Sequence, residues 1–222
     1  MGPFKEILKF IEDSRIHKAL TDQHKCYESH VRAFWNSAHY VEDDKAIHVV
    51  VKMKDENGKA IDVVVKFTVG DTRRVLDLKD KDEDPIIVSE RLCKGLWMRM
   101  GYTGFVNDPA YTKSKLSKPY KFLVHSMIHA LGHRKGGFDE SADYIMNIIT
   151  CLILNRPCNI SQVIFNHMFD NIKGECFLQY TRFMQMLLDD QIPNLPKVDG
   201  DELKLEHMDN ETLKRLDVLQ RS

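Results

Sequence analysis

The sequence predicts an α+β fold that is mostly α, with N-terminal helices and one β-hairpin followed by a C-terminal helical bundle. The clear β signal occurs in one place, in the alternating runs AIHVVVKM and AIDVVVKF on either side of an Asn-Gly turn. From residue 120 onward, apolar residues recur at helical spacing and are interrupted by Gly and Pro. A chain of 222 residues is long enough to bury a core without disulfide or metal support.

Two helices are predicted before the hairpin, over residues 3–13 and 27–38. The first has a proline in its first turn and apolar residues at helical spacing. The second places Val31, Phe34 and Trp35 on one side. Both are amphipathic, so each is expected to bury one face.

The hairpin turn is Asn57-Gly58, the dipeptide most typical of a tight β-turn. Each strand places its apolar residues on one face, and these are Ile47, Val49, Val51 and Met53 in the first strand and Ile61, Val63, Val65 and Phe67 in the second. An isolated hairpin is marginally stable in water. We therefore expect helices to cover this face.

The remaining elements are all predicted helices. Thr68 and Asp71 have the spacing of a capping box, which predicts a short helix ending near Leu78. Ser89 is expected to begin a helix that Gly101 ends. Four more helices are predicted over residues 121–133, 140–155, 161–173 and 178–191.

These elements are grouped into one domain over residues 1–195. Its mixed part, with the hairpin, spans residues 1–88, and its helical part spans residues 89–195. Residues 196–222 are rich in charged side chains and are expected to form a tail with one short helix after Asn210.

Composition excludes several classes of protein. The net charge of −1 gives no overall field toward nucleic acid or anionic membranes. The five cysteines are scattered, as is typical of reduced thiols inside cells. No secretory signal or membrane-spanning run is evident, so we expect an intracellular protein, cytoplasmic or nuclear, with no membrane partner. Glycine-rich phosphate loops and nucleophile elbows are also lacking, which predicts a non-enzyme with no cofactor and no small-molecule substrate.

Residues 125–137, HSMIHALGHRKGG, almost match the zinc-protease signature H-E-x-x-H. The glutamate position holds Ser126, which cannot take a proton from zinc-bound water. A protease is therefore excluded. His125, His129 and His133 still lie within an arc of about 80° on a helix. They are either candidate metal ligands, with Asp139 or Glu140 as a fourth, or polar-face histidines without metal.

Residues 111–135 contain six cations and no acid, and these cations are Lys113, Lys115, Lys118, Lys121, Arg134 and Lys135. Tyr111 and Tyr120 lie among them and can stack on bases. The segment is either a contact for RNA or single-stranded nucleic acid, or a solvated loop with cations at a helix C-terminus.

The C-terminal helices are rich in methionine and phenylalanine, with Met168, Met184, Met186, Phe165, Phe169, Phe177 and Phe183. Such side chains either form a core or provide adaptable surfaces for assembly.

The order of these elements resembles the gag-like N-terminal region of plant retrotransposon polyproteins, of the type abundant in daisy-family genomes. It also resembles the plant transposon protein domain. The similarity covers roughly residues 3–195 and rests on ALTDQHKCYESHVRAFWNSAH, VGDTRRVLDL, RLCKGLWMRMGYTG, KPYKFLVHSMIHAL, NIITCLILNRPCNISQVIFNHMFDNI and CFLQYTRFMQMLLDDQI. Retroviral-type capsids are nearly all helical, whereas this chain has a hairpin and lacks a C-x₂-C-x₄-H-x₄-C knuckle.

The resemblance implies self-association into a homo-oligomer, with weak nucleic-acid contact, rather than catalysis. It also implies that serine after His125 is ordinary for the family. A second function remains open, a domesticated module that binds a host protein. A third is a metal-binding protein or metal-dependent enzyme that uses His125 and His129.

Overall fold

The computed structural model describes residues 3–54, 56–105, 111–132, 140–173 and 180–203. Helices predominate in these ranges and the strands pair antiparallel, which confirms the predicted α+β, mostly α fold class. The chain divides into two compact units. The first comprises Met1–Thr21, Lys79–Ile160 and Glu206–Ser222, and the second comprises Asp22–Leu78 and Ser161–Leu205. Each unit joins stretches that lie far apart in the sequence.

A three-stranded sheet with the order β1-β2-β3 organises the second unit. The strands are β1 (His39–Val41), β2 (Ala46–Lys54) and β3 (Ala60–Phe67). β2 and β3 pair from Ile47 opposite Phe67 to Lys54 opposite Ala60, so their predicted apolar faces coincide. This confirms the hairpin, whose Gly58 has a φ of +78°. The sequence missed β1, because three residues are too few to show alternation.

Helices cover the inner face of this sheet, as expected. They are α3 (Glu28–Ser37), α4 (Val69–Val75), α8 (Ile160–Lys173, all but its first residue in this unit) and α9 (Thr181–Gln191). Phe34 of α3 stacks on Phe67 of β3 with ring centroids 5.7 Å apart, and both residues are fully buried. α9 also contacts β3. The aromatic pair therefore joins the helices to the sheet.

The predicted capping box at the start of α4 is present. Thr68 Oγ1 accepts the N–H of Asp71, and the Asp71 carboxylate accepts the N–H of Thr68. Burial alone would raise the pKa of Asp71, but hydrogen bonds from Thr68 and Arg74 reverse the effect and lower it. The ionised carboxylate thus stabilises the first turn of α4.

Residues 196–203 form an ordered strap on the second unit, where the sequence predicted a charged tail. His30 Nε2 lies 2.9 Å from the carbonyl oxygen of Pro196. The Asp201 carboxylate accepts the N–H of Ser29 and so caps α3 from outside that helix. Tyr27 and Glu202 form a β-bridge. The short helix predicted after Asn210 lies outside the described residues.

The first unit is helical. Its α-helices are α1 (Pro3–Glu12), α2 (His17–Thr21), α5 (Glu90–Arg99), α6 (Lys118–Met127) and α7 (Asp143–Ile153). α1 packs on α6, where the Phe4 and Phe122 rings meet edge to face at 6.2 Å. α7 contacts both α5 and α6. Trp97 of α5 and Leu123 of α6 are buried in this core.

Two predicted helices of this unit have different bounds. α6 begins three residues early, because Pro119 suits the first turn, and it continues as a π-helix over Ile128–Gly132. α7 begins at Asp143 rather than residue 140, because β5 (Glu140–Ser141) pairs with β4 (Tyr111–Thr112). A two-residue strand leaves no pattern that a sequence can show.

The lengths of the helices bear on the predicted absence of a membrane partner. Among the described residues, none of the helices is long and apolar enough to span a bilayer.

Candidate functional site

The predicted histidine site is buried where the structure describes it. His125 lies in the last turn of α6 and Lys113 in the 3-10 turn Lys113–Lys115, and each is 7% exposed. Lys113 Nζ is 3.0 Å from His125 Nδ1. One of the two atoms must donate and the other must accept. If the lysine donates as an ammonium, Nδ1 has no proton and Nε2 of the neutral ring carries it.

This contact limits metal binding at the histidines. A histidine whose Nε2 carries a proton cannot ligate a metal through that atom. The ring of half-buried His129 lies 4.2 Å from that of His125, and His133 falls outside the described residues. In the described ranges, no group of three or more His, Cys, Asp or Glu side chains is arranged to hold a metal ion.

Ser126 occupies the position of the zinc-protease glutamate, and its hydroxyl is engaged within α6. Ser126 Oγ donates to the carbonyl oxygen of Phe122 at 3.0 Å. Such a bond to the preceding turn is the usual arrangement of a serine inside a helix. The residue therefore has a structural role in the helix.

The predicted basic segment is smaller than its sequence indicates. Lys113 is buried, and Tyr111 packs against Trp97 with ring centroids 5.3 Å apart, so neither side chain is presented to a nucleic acid. Lys115 and Lys118 are exposed and Lys121 is half-buried. Arg134 and Lys135 lie outside the described residues. Of the four predicted cations that the structure describes, one is buried and three remain as surface candidates.

The methionine-rich helices provide core rather than surface. Met168 in α8 and Met184 and Met186 in α9 are buried. Phe165 and Phe183 are buried as well. These five side chains are therefore not available as an assembly surface.

The outer strand β3 exposes two large apolar side chains of the second unit. Val64 is 57% exposed and Ile61 is 41% exposed. Within the described ranges, β3 is the last strand of its sheet, since it pairs with β2 on one side alone. We name Asp62–Lys66 the β3 edge. The sequence analysis missed this edge, and the signal that could have found it is Val64, which alternates with Asp62 and Lys66 on the polar face of the hairpin.

Hydrogen bonds at β2 show which way the backbone of the β3 edge points. The N–H of Val50 donates to Ser37 Oγ at 2.9 Å, so it points away from β3. Val50 lies opposite Val64. In an antiparallel pair, directly opposed residues either both bond to each other or both point away. The N–H and C=O of Val64 therefore face outward, and by alternation so do those of Asp62 and Lys66.

Two buried thiols meet at the C-terminus of α7. The helix ends in a Schellman motif, in which the N–H of Arg156 donates to the carbonyl of Cys151 and left-handed Asn155 bonds to Leu152. The turn returns Cys158 to Cys151. A hydrogen bond from the Cys158 thiol lowers the pKa of Cys151 and raises that of Cys158. Both side chains are almost fully buried, which suits reduced, structural thiols.

Comparison of the chain with protein-family models, with curated proteins and with solved structures found no match.

Proposed function

We propose that this chain is a non-enzymatic protein derived from a plant transposable element, and that it binds further copies of itself. The observation that carries the proposal is the β3 edge. It combines outward-facing backbone donors and acceptors with the exposed apolar side chain of Val64. Such edges attract another strand, and proteins usually cover or shorten them unless pairing is used.

The resemblance to gag-like regions supports the same conclusion, because those regions work by assembly. The methionine-rich helices are occupied by the core, so they do not compete with the β3 edge as the assembly surface. Nucleic-acid contact is a minor part of the proposal. It uses Lys115, Lys118 and Lys121, a small group of cations in a chain of net charge −1.

The test is light scattering behind a sizing column over a wide range of protein concentration, with and without single-stranded RNA. We expect the mass to rise above the 25.9 kDa of the monomer as concentration increases. RNA is expected to have a small additional effect. A monomer at every concentration would refute self-association and favour a module that binds a host protein.

A further inference from the structure

We propose that two copies of this chain pair antiparallel through their β3 edges, across a two-fold axis that places Val64 of one copy opposite Val64 of the other. This inference rests on the proposed self-association and specifies its surface and register. It would join the two three-stranded sheets into one continuous sheet. Three features support this pairing: the outward-facing backbone groups, the side-chain charges and a two-fold symmetry that limits the assembly to two copies.

The backbone permits the pairing. In the described ranges, the outward N–H and C=O groups of Asp62, Val64 and Lys66 have no hydrogen-bond partner. When Val64 faces Val64 across a two-fold axis, each N–H meets the C=O of the other copy. The same symmetry brings Asp62 opposite Lys66, and the backbone groups of both residues also face the partner strand. All three outward-facing positions are therefore satisfied together.

The charges select this register over its neighbours. Pairing about Val64 opposes Asp62 of each copy to Lys66 of the other, so two pairs of unlike charge form. A shift that opposes Asp62 to Asp62, or Lys66 to Lys66, brings like charges together, which is destabilising. Pairing about Val63 or Val65 leaves a charged residue opposite Val64. One register alone is thus complementary in both charge and apolar contact.

Lys66 already contacts Asp44 at 2.6 Å, but this ion pair does not prevent the exchange. Lys66 is 58% exposed and Asp44 is 37% exposed. Exposed ion pairs contribute little to stability, because water competes for both charges. The ammonium of Lys66 can therefore also approach Asp62 of the second copy.

We expect the assembly to be a dimer, because β1 offers a much shorter edge on the opposite side of the sheet than β3 does. β1 has three residues, and beyond it Ser37 Oγ accepts the N–H of Val50. On the β1 side of β2, past the last residue that β1 pairs with, the N–H of Val50 is therefore already hydrogen-bonded. A two-fold interface uses the same surface on both copies and leaves none free. Because the contact is a short strand, we expect a weak, concentration-dependent dimer.

The first experiment replaces Val64 by a charge and then restores complementarity. Val64→Lys places two lysines face to face on the axis, and Val64→Glu places two glutamates there. We expect each variant alone to dimerise at least about tenfold more weakly than the unchanged chain. Mixing the two variants opposes lysine to glutamate and should recover a dimer with one copy of each, as measured by sedimentation equilibrium.

A matched control separates this surface from the rest of the molecule. Ile87 in the first unit is 73% exposed, so Ile87→Lys is an equally drastic change in the other unit. We expect it to leave dimerisation unchanged. Circular dichroism of each variant confirms that it folds. Since Val64 is 57% exposed, its substitution should leave the spectrum unchanged, and it should leave the melting midpoint unchanged at concentrations where the unchanged chain is monomeric.

Cysteine cross-linking tests the register directly. In the proposed pairing, Cα atoms at position 64 are about 5.5 Å apart, within reach of a disulfide. The two copies of position 62 are about 13 Å apart, as are those of position 66. Under diamide, we expect Val64→Cys to cross-link, and Asp62→Cys and Lys66→Cys to cross-link when mixed but not separately. The unchanged chain under diamide reports any background from native cysteines.

The outcomes distinguish this inference from the proposed function. If the unchanged chain self-associates and Val64→Lys does so equally well, the β3 edge is not the interface, although self-association stands. Loss of association in Ile87→Lys alone would place the interface in the first unit and overturn the β3 pairing. A chain that stays monomeric at all concentrations would refute both the proposed function and the dimer built on it.

Discussion

Nζ of Lys113 lies 3.0 Å from Nδ1 of His125, and each of the two residues is 93% buried. The contact ties the turn after β4 to the last turn of α6, within the first unit. Sequence alone placed these residues in two different sites, a basic surface and a metal centre. Their contact is a buried polar interaction, which stabilises a protein as long as both partners remain.

Lys113→Met should destabilise the protein by about 1–3 kcal/mol, because His125 loses this hydrogen bond in a buried place. His125→Leu should cost a similar amount. The double variant is expected to lose less unfolding free energy than the two single variants lose together, by a coupling of about 0.5 kcal/mol or more. Urea unfolding followed by circular dichroism measures all three. The control is Lys118→Met, at an exposed position of α6, the helix that contains His125. An unfolding free energy that Lys113→Met leaves unchanged would contradict the structural role of the contact.

The protein purified without added metal should retain less than one equivalent of zinc. Lys113 occupies Nδ1 of His125, and the described ranges hold no group of three ligand-type side chains. Elemental analysis of the purified chain tests this. A full equivalent that disappears in His125→Ala and His129→Ala, but persists in the exposed-site control His39→Ala, would instead establish a metal centre.

Replacing Lys115, Lys118 and Lys121 together by Gln should weaken binding to single-stranded RNA. Each lost phosphate contact is expected to reduce the slope of log affinity against log salt by about 0.7. Fluorescence anisotropy over a salt series measures both quantities. The matched control replaces three exposed lysines of the second unit, Lys45, Lys52 and Lys54, which changes the net charge equally. Equal losses in both variants would show that binding reflects net charge alone.

Asp71→Asn should destabilise the protein by about 1 kcal/mol at neutral pH, because a neutral amide accepts the N–H of Thr68 more weakly than a carboxylate and loses the ion pair with Arg74. The pKa of Asp71 is lowered in the folded protein. The stabilisation by the Asp71 carboxylate is therefore fully present above the pKa of this group in the unfolded chain, about 3.9. It is lost as pH falls through the lower pKa of Asp71 in the folded protein.

The difference in unfolding free energy between Asp71→Asn and the unchanged chain should consequently shrink in acid. Urea unfolding at several pH values between neutral and strongly acidic conditions measures this difference. Asp43→Asn, at an exposed site in the turn after β1, controls for the loss of one charge. A difference that is independent of pH would show that the carboxylate charge of Asp71 does not matter.

Local chemistry explains which parts of the fold were predictable. The Asn57-Gly58 turn, the alternation in β2 and β3 and the Thr68–Asp71 box all act within a few residues, so their patterns are visible in the sequence. The burial of Lys113 is different, because it depends on His125 twelve residues away. A lysine in a lysine-rich segment otherwise predicts exposure.

The β3 edge shows a second limit of local patterns. The sequence predicted both strands of the hairpin, but the exposure of an edge depends on which neighbours each strand acquires. Ser37 lies in α3, and its hydroxyl oxygen accepts the N–H of Val50 in β2. The direction of the backbone groups is therefore visible from a bond between two separate elements. The missed strand β1 completes the opposite side. Long-range pairing of this kind leaves no periodic signal in the sequence.

The strap of residues 196–203 changes how this protein can be shortened without damage. A fragment that stops at residue 195 would keep the described helices and strands of the second unit, yet it would remove Asp201 from the start of α3 and Pro196 from His30. The first turn of α3 would then expose backbone N–H groups that the strap now satisfies. The smallest stable piece of this unit therefore extends at least to Leu203, whose N–H bonds to the carbonyl of Cys26.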